Sequence, residues 1–231
     1  MTGAERVPES ARFVSTSLRG EVSAALLMPD DARAMLAYGH GAGAGLHHAF
    51  MRETAQRLAA RGIASLRYHF PYMEAGRKAP DRPPVLIDTV TAAVRRATEL
   101  AEGLPVFAGG KSMGGRMTST ASSEVGFEDV RGIVFFGFPL HAPNRPSSDR
   151  GAHLAATREP LLFLQGTRDA LASLDLLEPI ISDLGSRATL HIIDGADHSF
   201  HVLKRSGRTD DEVLDELADR VARWVDEILA E

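Results

Sequence analysis

A short apolar run, a glycine-rich turn and the start of a helical segment follow one another in residues 106–117, which read VFAGGKSMGGRM. The turn contains the pattern G-x-S-x-G as Gly110, Ser112 and Gly114. Such a turn is so tight that its central serine is strained, and small flanking residues avoid clashes with neighbouring backbone. The segment therefore predicts a buried strand at Val106–Ala108, an exposed Ser112 hydroxyl at its end, and a helix after Ser112.

The rest of the chain alternates short apolar runs with longer segments of helical period. Continuous apolar strands that alternate with helices favour a parallel sheet covered on both faces. We therefore predict an α/β fold with a mostly parallel central sheet. The other predicted strands are Val22–Met28, Met35–Gly39, Ile63–Phe70, Gly132–Phe138, Leu161–Gln165 and Ala188–Ile193, and the other helices are His48–Arg61, Leu86–Leu100, Leu171–Leu184 and Asp210–Leu229.

Composition limits the possible classes of protein. The 231 residues are 44% hydrophobic, which provides a core for one α/β domain over residues 1–231, with residues 1–10 expected to be poorly ordered. A net charge of −5 without a basic block argues against nucleic-acid or anionic-membrane partners. The absence of cysteine excludes disulfides and a thiol nucleophile, and residues 1–8 lack the apolar region of a signal peptide. We expect a cytoplasmic protein.

An acid and a histidine follow Ser112 in the chain order that this kind of turn requires. Asp169 comes directly after the predicted strand Leu161–Gln165, and His198 comes after Ala188–Ile193. Because the carboxyl ends of parallel strands meet at one edge of the sheet, all three side chains should lie close together. We therefore predict Ser112 as nucleophile, His198 as base and Asp169 as the acid that orients it.

Other interpretations of the acid and the base remain open. An aspartate after a glycine is more often a turn or cap residue, but the strand before Leu161–Gln165 ends without an acid, and the next aspartate is Asp149. His201 is the reserve candidate for the base. Asp197 suits a local turn, and His191, within a strand, suits a packing position.

Residues 40–45 form a second turn of small residues, His40-Gly41-Ala42-Gly43-Ala44-Gly45. Stabilising a developing oxyanion requires backbone N–H groups, and this turn would let a substrate approach the backbone. We expect one donor from Met113 and the other from Ala42, with Gly43 as the alternative.

Phosphate, metal and cofactor binding are less favoured. A dinucleotide-binding pattern would need glycine at Leu46, and a P-loop would need glycine at Pro105. His40, His47 and His48 lack the spacing of metal ligands. We predict no cofactor and no metal. The charged pair Arg77-Lys78 is interpreted as a solvated loop, with contact to an acidic substrate as the alternative.

These residues together resemble the α/β-hydrolase superfamily, most closely its small cap-less members of the dienelactone-hydrolase-like kind. The resemblance covers nearly the whole chain from about Val22 and implies the same roles for Ser112, His198 and Asp169. One member of this branch is a scaffold subunit of a chromatin-modifying complex, so membership alone does not imply catalysis. The residues that carry the resemblance are His40-Gly41-Ala42-Gly43, Phe70-Pro71-Tyr72, residues 110–116, Phe138-Pro139-Leu140, residues 165–169 and Asp197-His198-Ser199-Phe200.

The predicted function is that of a serine hydrolase that forms an acyl-enzyme on Ser112. Cleavage of a small or medium carboxylic ester or thioester is favoured over amide cleavage. The region between Phe138 and Arg158 is too short for a separate cap domain and could form a wall of the pocket. The alternative is a non-catalytic binding or scaffold protein on the same fold. The sequence leaves monomer and homodimer equally open.

Overall fold

The computed structural model describes residues 9–16 and 19–230, which form one eight-stranded sheet in the order β1-β2-β4-β3-β5-β6-β7-β8. Neighbouring strands from β4 to β8 are parallel, whereas β2 runs antiparallel to both β1 and β4. The strands are β1 Glu9–Thr16, β2 Gly20–Leu27, β3 Ala34–Gly39, β4 Ile63–Tyr68, β5 Val106–Lys111, β6 Val130–Phe136, β7 Leu161–Gly166 and β8 Ala188–Ile193. The predicted α/β fold with a mostly parallel sheet is confirmed.

Helices cover both faces of the sheet and produce two apolar cores. Successive residues of one strand enter different cores, as Ile133 and Phe135 of β6 do on one face and Val134 and Phe136 on the other. Side chains of a strand point alternately to the two faces of the sheet, so a parallel strand covered on both faces is apolar at every position. The helices are α1 Ala49–Ala59, α2 Pro71–Glu74, α3 Pro83–Leu100, α4 Met113–Val125, α5 Leu174–Leu184 and α6 Asp210–Leu229. Residues of α3, α4 and α5 enter the first core, and residues of α1 and α6 enter the second.

Several boundaries differ from the prediction for local reasons. Strand β5 continues to Lys111 instead of ending at Ala108, because Gly109 and Gly110 remain in the ladder with β6. Strand β6 ends at Phe136 instead of Phe138, because Gly137 turns the chain with a φ of 74°. Helix α3 begins at Pro83 instead of Leu86, since proline fits the first helical positions, where its missing N–H has no cost.

Five elements of the described residues were not predicted at all: β1, the short helix α2 and the three 3₁₀ segments at Asp149–Ala156, Gly185–Arg187 and Lys204–Ser206. Strand β1 begins at Glu9, so the last two residues of the segment expected to be poorly ordered belong to the sheet. Residues 1–8 of that segment lie outside the described residues. Within residues 9–16 and 19–230, no helix combines the length and the hydropathy needed to cross a bilayer.

The connection between β6 and β7, residues 137–160, contains the 3₁₀ segment but no added domain. It contacts α4, the helix that follows Ser112. The carboxyl ends of β5, β7 and β8 therefore stay uncovered by a cap, with this connection beside them.

Candidate active site

Ser112 stands alone between the last residue of β5, Lys111, and the first residue of α4, Met113. Its φ of 51° and ψ of −115° lie outside the regions that most non-glycine residues adopt. The turn is packed closely against the end of β3. A Cβ at Gly110 or at Gly114 would lie 2.3 Å from the carbonyl oxygen of Gly39 in either case. The G-x-S-x-G pattern thus reflects a steric requirement at this turn.

The three residues predicted to act together are joined by hydrogen bonds. The Oγ of Ser112 lies 2.8 Å from Nε2 of His198, and Nδ1 of His198 lies 2.7 Å from Oδ2 of Asp169. The Asp169 side chain is 0% exposed and that of His198 is 22% exposed. An ionised carboxylate can only accept, so Nδ1 carries the hydrogen and Nε2 is left to accept the Ser112 hydroxyl. This is the tautomer that a general base needs.

Asp169 is held by two further donors. The backbone N–H of Leu171 donates to Oδ1 over 2.7 Å, and the side-chain amide of Gln165 donates to Oδ2 over 2.5 Å. Gln165 is fully buried, and its Oε1 accepts the backbone N–H of Phe138 over 3.0 Å. Sequence reasoning missed Gln165. A polar residue at the end of the otherwise apolar strand β7 is the signal that could have indicated it.

Lys111 was also missed, although it directly precedes Ser112. Its ammonium group donates a hydrogen bond to the backbone carbonyl of His198. It also lies 5.6 Å and 5.1 Å from the ring centroids of Phe50 and Phe200, and Phe200 is held at a φ of 65°. Lys111 thus connects the turn that carries Ser112 to the loop that carries His198.

Burial determines the titration of Lys111. It lowers the pKa of the Lys111 ammonium group to about 8, while the carboxylates of Asp169 and Asp197 oppose the shift. The lysine is therefore charged at neutral pH and loses its proton within the range in which enzymes are commonly assayed.

The turn at residues 40–45 lies beside Ser112, since a Cβ at Gly41 would be 3.7 Å from the Cβ of Ser112. The N–H of Gly43 already donates to the hydroxyl of Tyr72 over 3.0 Å. By contrast, the N–H of Ala42 has no hydrogen-bond partner among the described residues. The N–H of Met113 is at the first position of α4, where a helix leaves its amides unpaired. The N–H groups of Met113 and Ala42, the two donors predicted from the sequence, are therefore without a partner among the described residues.

His40 holds this turn in place and is fully buried. Its Nδ1 donates to the carbonyl of Gly41 over 2.7 Å, and its Nε2 accepts the N–H of Phe70 over 3.2 Å. Burial lowers the pKa of His40 to about 4, so the ring stays neutral and both bonds persist at neutral pH. Nearby, His48 caps α1 by accepting the N–H of Phe50. Among residues 9–16 and 19–230, no group of three or more side chains is arranged to hold a metal ion.

The remaining titratable candidates have local partners instead. His201, the reserve base, pairs with Asp210 at 2.8 Å and makes no contact with Ser112. Asp197 accepts the N–H groups of Ser199 and His201 within its own turn, as its local interpretation predicts. His191 pairs with Glu216, so it is hydrogen-bonded and not merely a packing residue. Arg77 pairs with Asp81 in the charged loop that also contains Lys78.

A second serine–histidine pair lies inside the fold. The Oγ of Ser119 is 2.8 Å from Nε2 of His153, but Ser119 is fully buried in α4 and its hydroxyl also donates to the carbonyl of Arg116. No carboxylate of the described residues pairs with His153, and burial together with the Arg116 charge lowers its pKa to about 4. This pair lacks both the access and the orienting acid that Ser112 has.

Comparison with known proteins agrees with this architecture. A family model described as an alpha/beta hydrolase domain matches residues 32–226, so the chain belongs to the α/β-hydrolase family. The match supports a hydrolase and names no substrate.

Two solved structures illustrate the likeness of fold. A dienelactone hydrolase from Anabaena variabilis is 21% identical, with 94% of this chain and 96% of that chain covered at a TM-score of 0.73. A lid-less α/β serine hydrolase from Xanthomonas campestris is 16% identical, with 94% and 95% covered at the same TM-score of 0.73. The short connection after β6, from which the absence of a large cap was predicted, agrees with the lid-less structure from Xanthomonas campestris.

Proposed function

We propose that this protein is a serine hydrolase that cleaves a carboxylic ester or thioester through an acyl-enzyme on Ser112. The observation that carries the proposal is the continuous chain of hydrogen bonds from Asp169 through His198 to the Ser112 hydroxyl. A nucleophile, a base and an orienting acid in this geometry are the minimum for acyl transfer by serine.

The reaction follows from the positions of these groups. His198 Nε2 takes the hydroxyl proton as Ser112 Oγ bonds to the acyl carbon, and the free N–H groups of Met113 and Ala42 donate to the resulting oxyanion. Protonated His198 then gives its proton to the leaving alcohol or thiol. In the second half, His198 deprotonates a water molecule that attacks the acyl-enzyme, and Ser112 regains its proton as the acid departs.

The substrate we propose is a small or medium acyl compound, because no cap domain of the described residues encloses the ends of the strands, and the 137–160 connection begins beside His198, where a Cβ at Gly137 would lie 3.4 Å from the imidazole. One similar structure, 15% identical at a TM-score of 0.70, is an esterase domain of a Rhodothermus marinus protein, which supports ester chemistry by analogy. The rival function is a non-catalytic scaffold, which has no need for the 2.7 Å and 2.8 Å bonds at His198. Cytoplasmic location and oligomeric state stay predictions from the sequence.

A fluorophosphonate probe separates these two functions. We expect the wild-type protein to gain one covalent adduct, detected by intact-protein mass spectrometry and mapped to Ser112 by peptide sequencing. The same protein should hydrolyse members of a panel of p-nitrophenyl esters and acyl thioesters. A wild-type protein that neither labels nor hydrolyses any panel member would favour the scaffold function.

Lys111 provides a separate prediction about the alkaline limb of activity. Its charged form should hold the His198 loop most firmly, so we expect kcat to fall as the pH rises through about 8, where Lys111 loses its proton. Lys111→Met should lower kcat about 10- to 100-fold at pH 7, since small displacements of a catalytic base cost rates of this order. Lys111→Arg stays charged throughout this pH range, so the fall in kcat near pH 8 should disappear in this variant. Initial rates from pH 6 to 10 measure both effects.

A second lysine, Lys204, provides the control for this experiment. Lys204 is exposed in a 3₁₀ turn, and its side chain makes no hydrogen bond to Ser112, Asp169 or His198, so Lys204→Met should retain the wild-type profile. A Lys111→Met variant with the wild-type rate and limb would show that the lysine does not position His198.

A further inference from the structure

Gln165 interrupts the apolar row that strand β7 directs into the first core. Its side chain lies on the same face as those of Leu161 and Phe163, because alternate residues of a strand share a face. All three residues are fully buried. Burying an amide costs free energy unless its polar atoms are hydrogen-bonded, so Gln165 needs partners that an apolar residue at this position would not need.

The amide of Gln165 has a partner on each side, and these partners fix the direction in which it faces. Its Oε1 accepts the backbone N–H of Phe138 over 3.0 Å. Because a backbone N–H can only donate, the NH₂ group of the amide must face the other way, toward Asp169. There Nε2 donates to Oδ2 of Asp169 over 2.5 Å. Gln165 thus joins the acid of the candidate site to the beginning of the 137–160 connection.

The oxygen that Gln165 contacts is the same oxygen that orients the base. Oδ2 of Asp169 accepts both the Gln165 amide and Nδ1 of His198, while Oδ1 accepts the N–H of Leu171. The Asp169 side chain is 0% exposed, so these three donors provide the stabilisation that water gives to an exposed carboxylate. The two donors at Oδ2 share the negative charge of one oxygen. The donor from Gln165 therefore weakens the attraction of Asp169 for a protonated His198.

The other groups around His198 do not obscure this effect in the acid range. Lys111 reaches the His198 loop from β5, and its pKa of about 8 keeps its charge constant at acid pH. Asp197, on the His198 loop itself, accepts two backbone N–H groups of its own turn. Gly137 packs uncharged against the imidazole, where a Cβ would lie 3.4 Å from Nδ1. A change in the proton affinity of His198 therefore reports on its bond to Asp169.

We propose that Gln165 is a positioning residue that limits the proton affinity of His198 by sharing Oδ2 of Asp169. Its amide keeps the acid directed at Nδ1, and it lets the imidazolium release its proton more readily than the contact with Asp169 alone would allow. Gln165 touches no reacting atom and acts only through Asp169. This inference rests on the proposed hydrolase function and adds to it the residue that adjusts the base.

Gln165→Met removes the donor at nearly constant size. We expect the acid limb of kcat/KM, its fall toward low pH, to move up by about one pH unit, because a hydrogen bond to a charged group is lost. Gln165→Asn, one methylene too short to span both partners, should move the limb in the same direction. Gln165→Glu should keep the wild-type limb, because a buried carboxyl group beside Asp169 stays protonated and still donates. Initial rates with p-nitrophenyl butyrate from about pH 5 to 8 measure this limb.

A neighbouring residue of the same strand supplies the matched control. Leu162 is also fully buried in β7 but faces the second core, without contact to Asp169. Leu162→Val should lower the thermal unfolding temperature, because it leaves a small cavity, and should keep the wild-type acid limb. A limb that moves in Leu162→Val as it does in Gln165→Met would assign the shift to lost stability and would overturn the inference.

Proton NMR separates this inference from the hydrolase proposal, because it needs no turnover. The Nδ1 hydrogen of His198, held 2.7 Å from Asp169, should give a low-field resonance that is absent from His198→Gln. Gln165→Met should move this resonance further downfield, since Oδ2 is then left to His198 alone. An unmoved resonance or an unmoved acid limb in Gln165→Met would overturn the inference and leave hydrolysis intact. Failure of fluorophosphonate labelling would instead count against the hydrolase function.

Discussion

Ser112→Ala is expected to lower kcat for ester hydrolysis by about 10⁶-fold, the size of loss known for removal of a catalytic serine. The physical reason is that no covalent intermediate can form without Oγ, the atom that lies 2.8 Å from His198. Rates with p-nitrophenyl butyrate give kcat, and the fluorophosphonate adduct should disappear in parallel. Alanine removes one oxygen and leaves the turn intact, so the thermal unfolding temperature should stay close to that of wild type.

The matched control for this variant is Ser119→Ala. Ser119 is also bonded to a histidine, lies in the helix that follows Ser112 and loses the same atom, but it is buried. It should retain labelling and turnover. The reverse pattern, with loss of labelling in Ser119→Ala and retention in Ser112→Ala, would move the nucleophile to the Ser119–His153 pair and contradict our assignment.

The core of the fold and the three residues of the hydrogen-bonded chain were predictable because each follows from a local pattern. The apolar run at residues 161–165 indicates a buried strand whatever its neighbours are, and the turn residue that follows it must lie at the carboxyl edge of a parallel sheet. Ser112, Asp169 and His198 are all such residues, so their meeting follows from the topology.

What the sequence could not predict depends on contacts between distant segments. Lys111 reaches the carbonyl of His198 across 87 positions of the chain, and nothing in the local pattern around Lys111 indicates it. The bond from the N–H of Gly43 to the hydroxyl of Tyr72, which favours the predicted donor Ala42 over Gly43, also joins distant segments. Strand β1 was missed because Phe13 and Val14 are its only large apolar residues, and its place in the sheet comes from antiparallel pairing with β2.

Asp169→Asn should lower kcat by about 10⁴-fold while the protein stays folded, as happens when the orienting acid of such a site becomes an amide. In this protein the hydrogen bonds around Asp169 explain the expected loss of rate. The Leu171 N–H needs an acceptor at Oδ1, so the asparagine oxygen must stay there. The new NH₂ group would then replace Oδ2, where both His198 Nδ1 and the Gln165 amide now donate.

Three donors would then face one another with no acceptor among them. His198 can relieve this only by moving its hydrogen from Nδ1 to Nε2, and in that tautomer Nε2 can no longer accept the Ser112 proton. Loss of rate should therefore appear in kcat more than in KM. Asp194, exposed on the turn after β8 and bonded to Thr167 rather than to His198, supplies the control, and Asp194→Asn should hydrolyse at the wild-type rate. A near-normal kcat in Asp169→Asn, with an unchanged far-ultraviolet circular dichroism spectrum, would mean that another carboxylate orients the base.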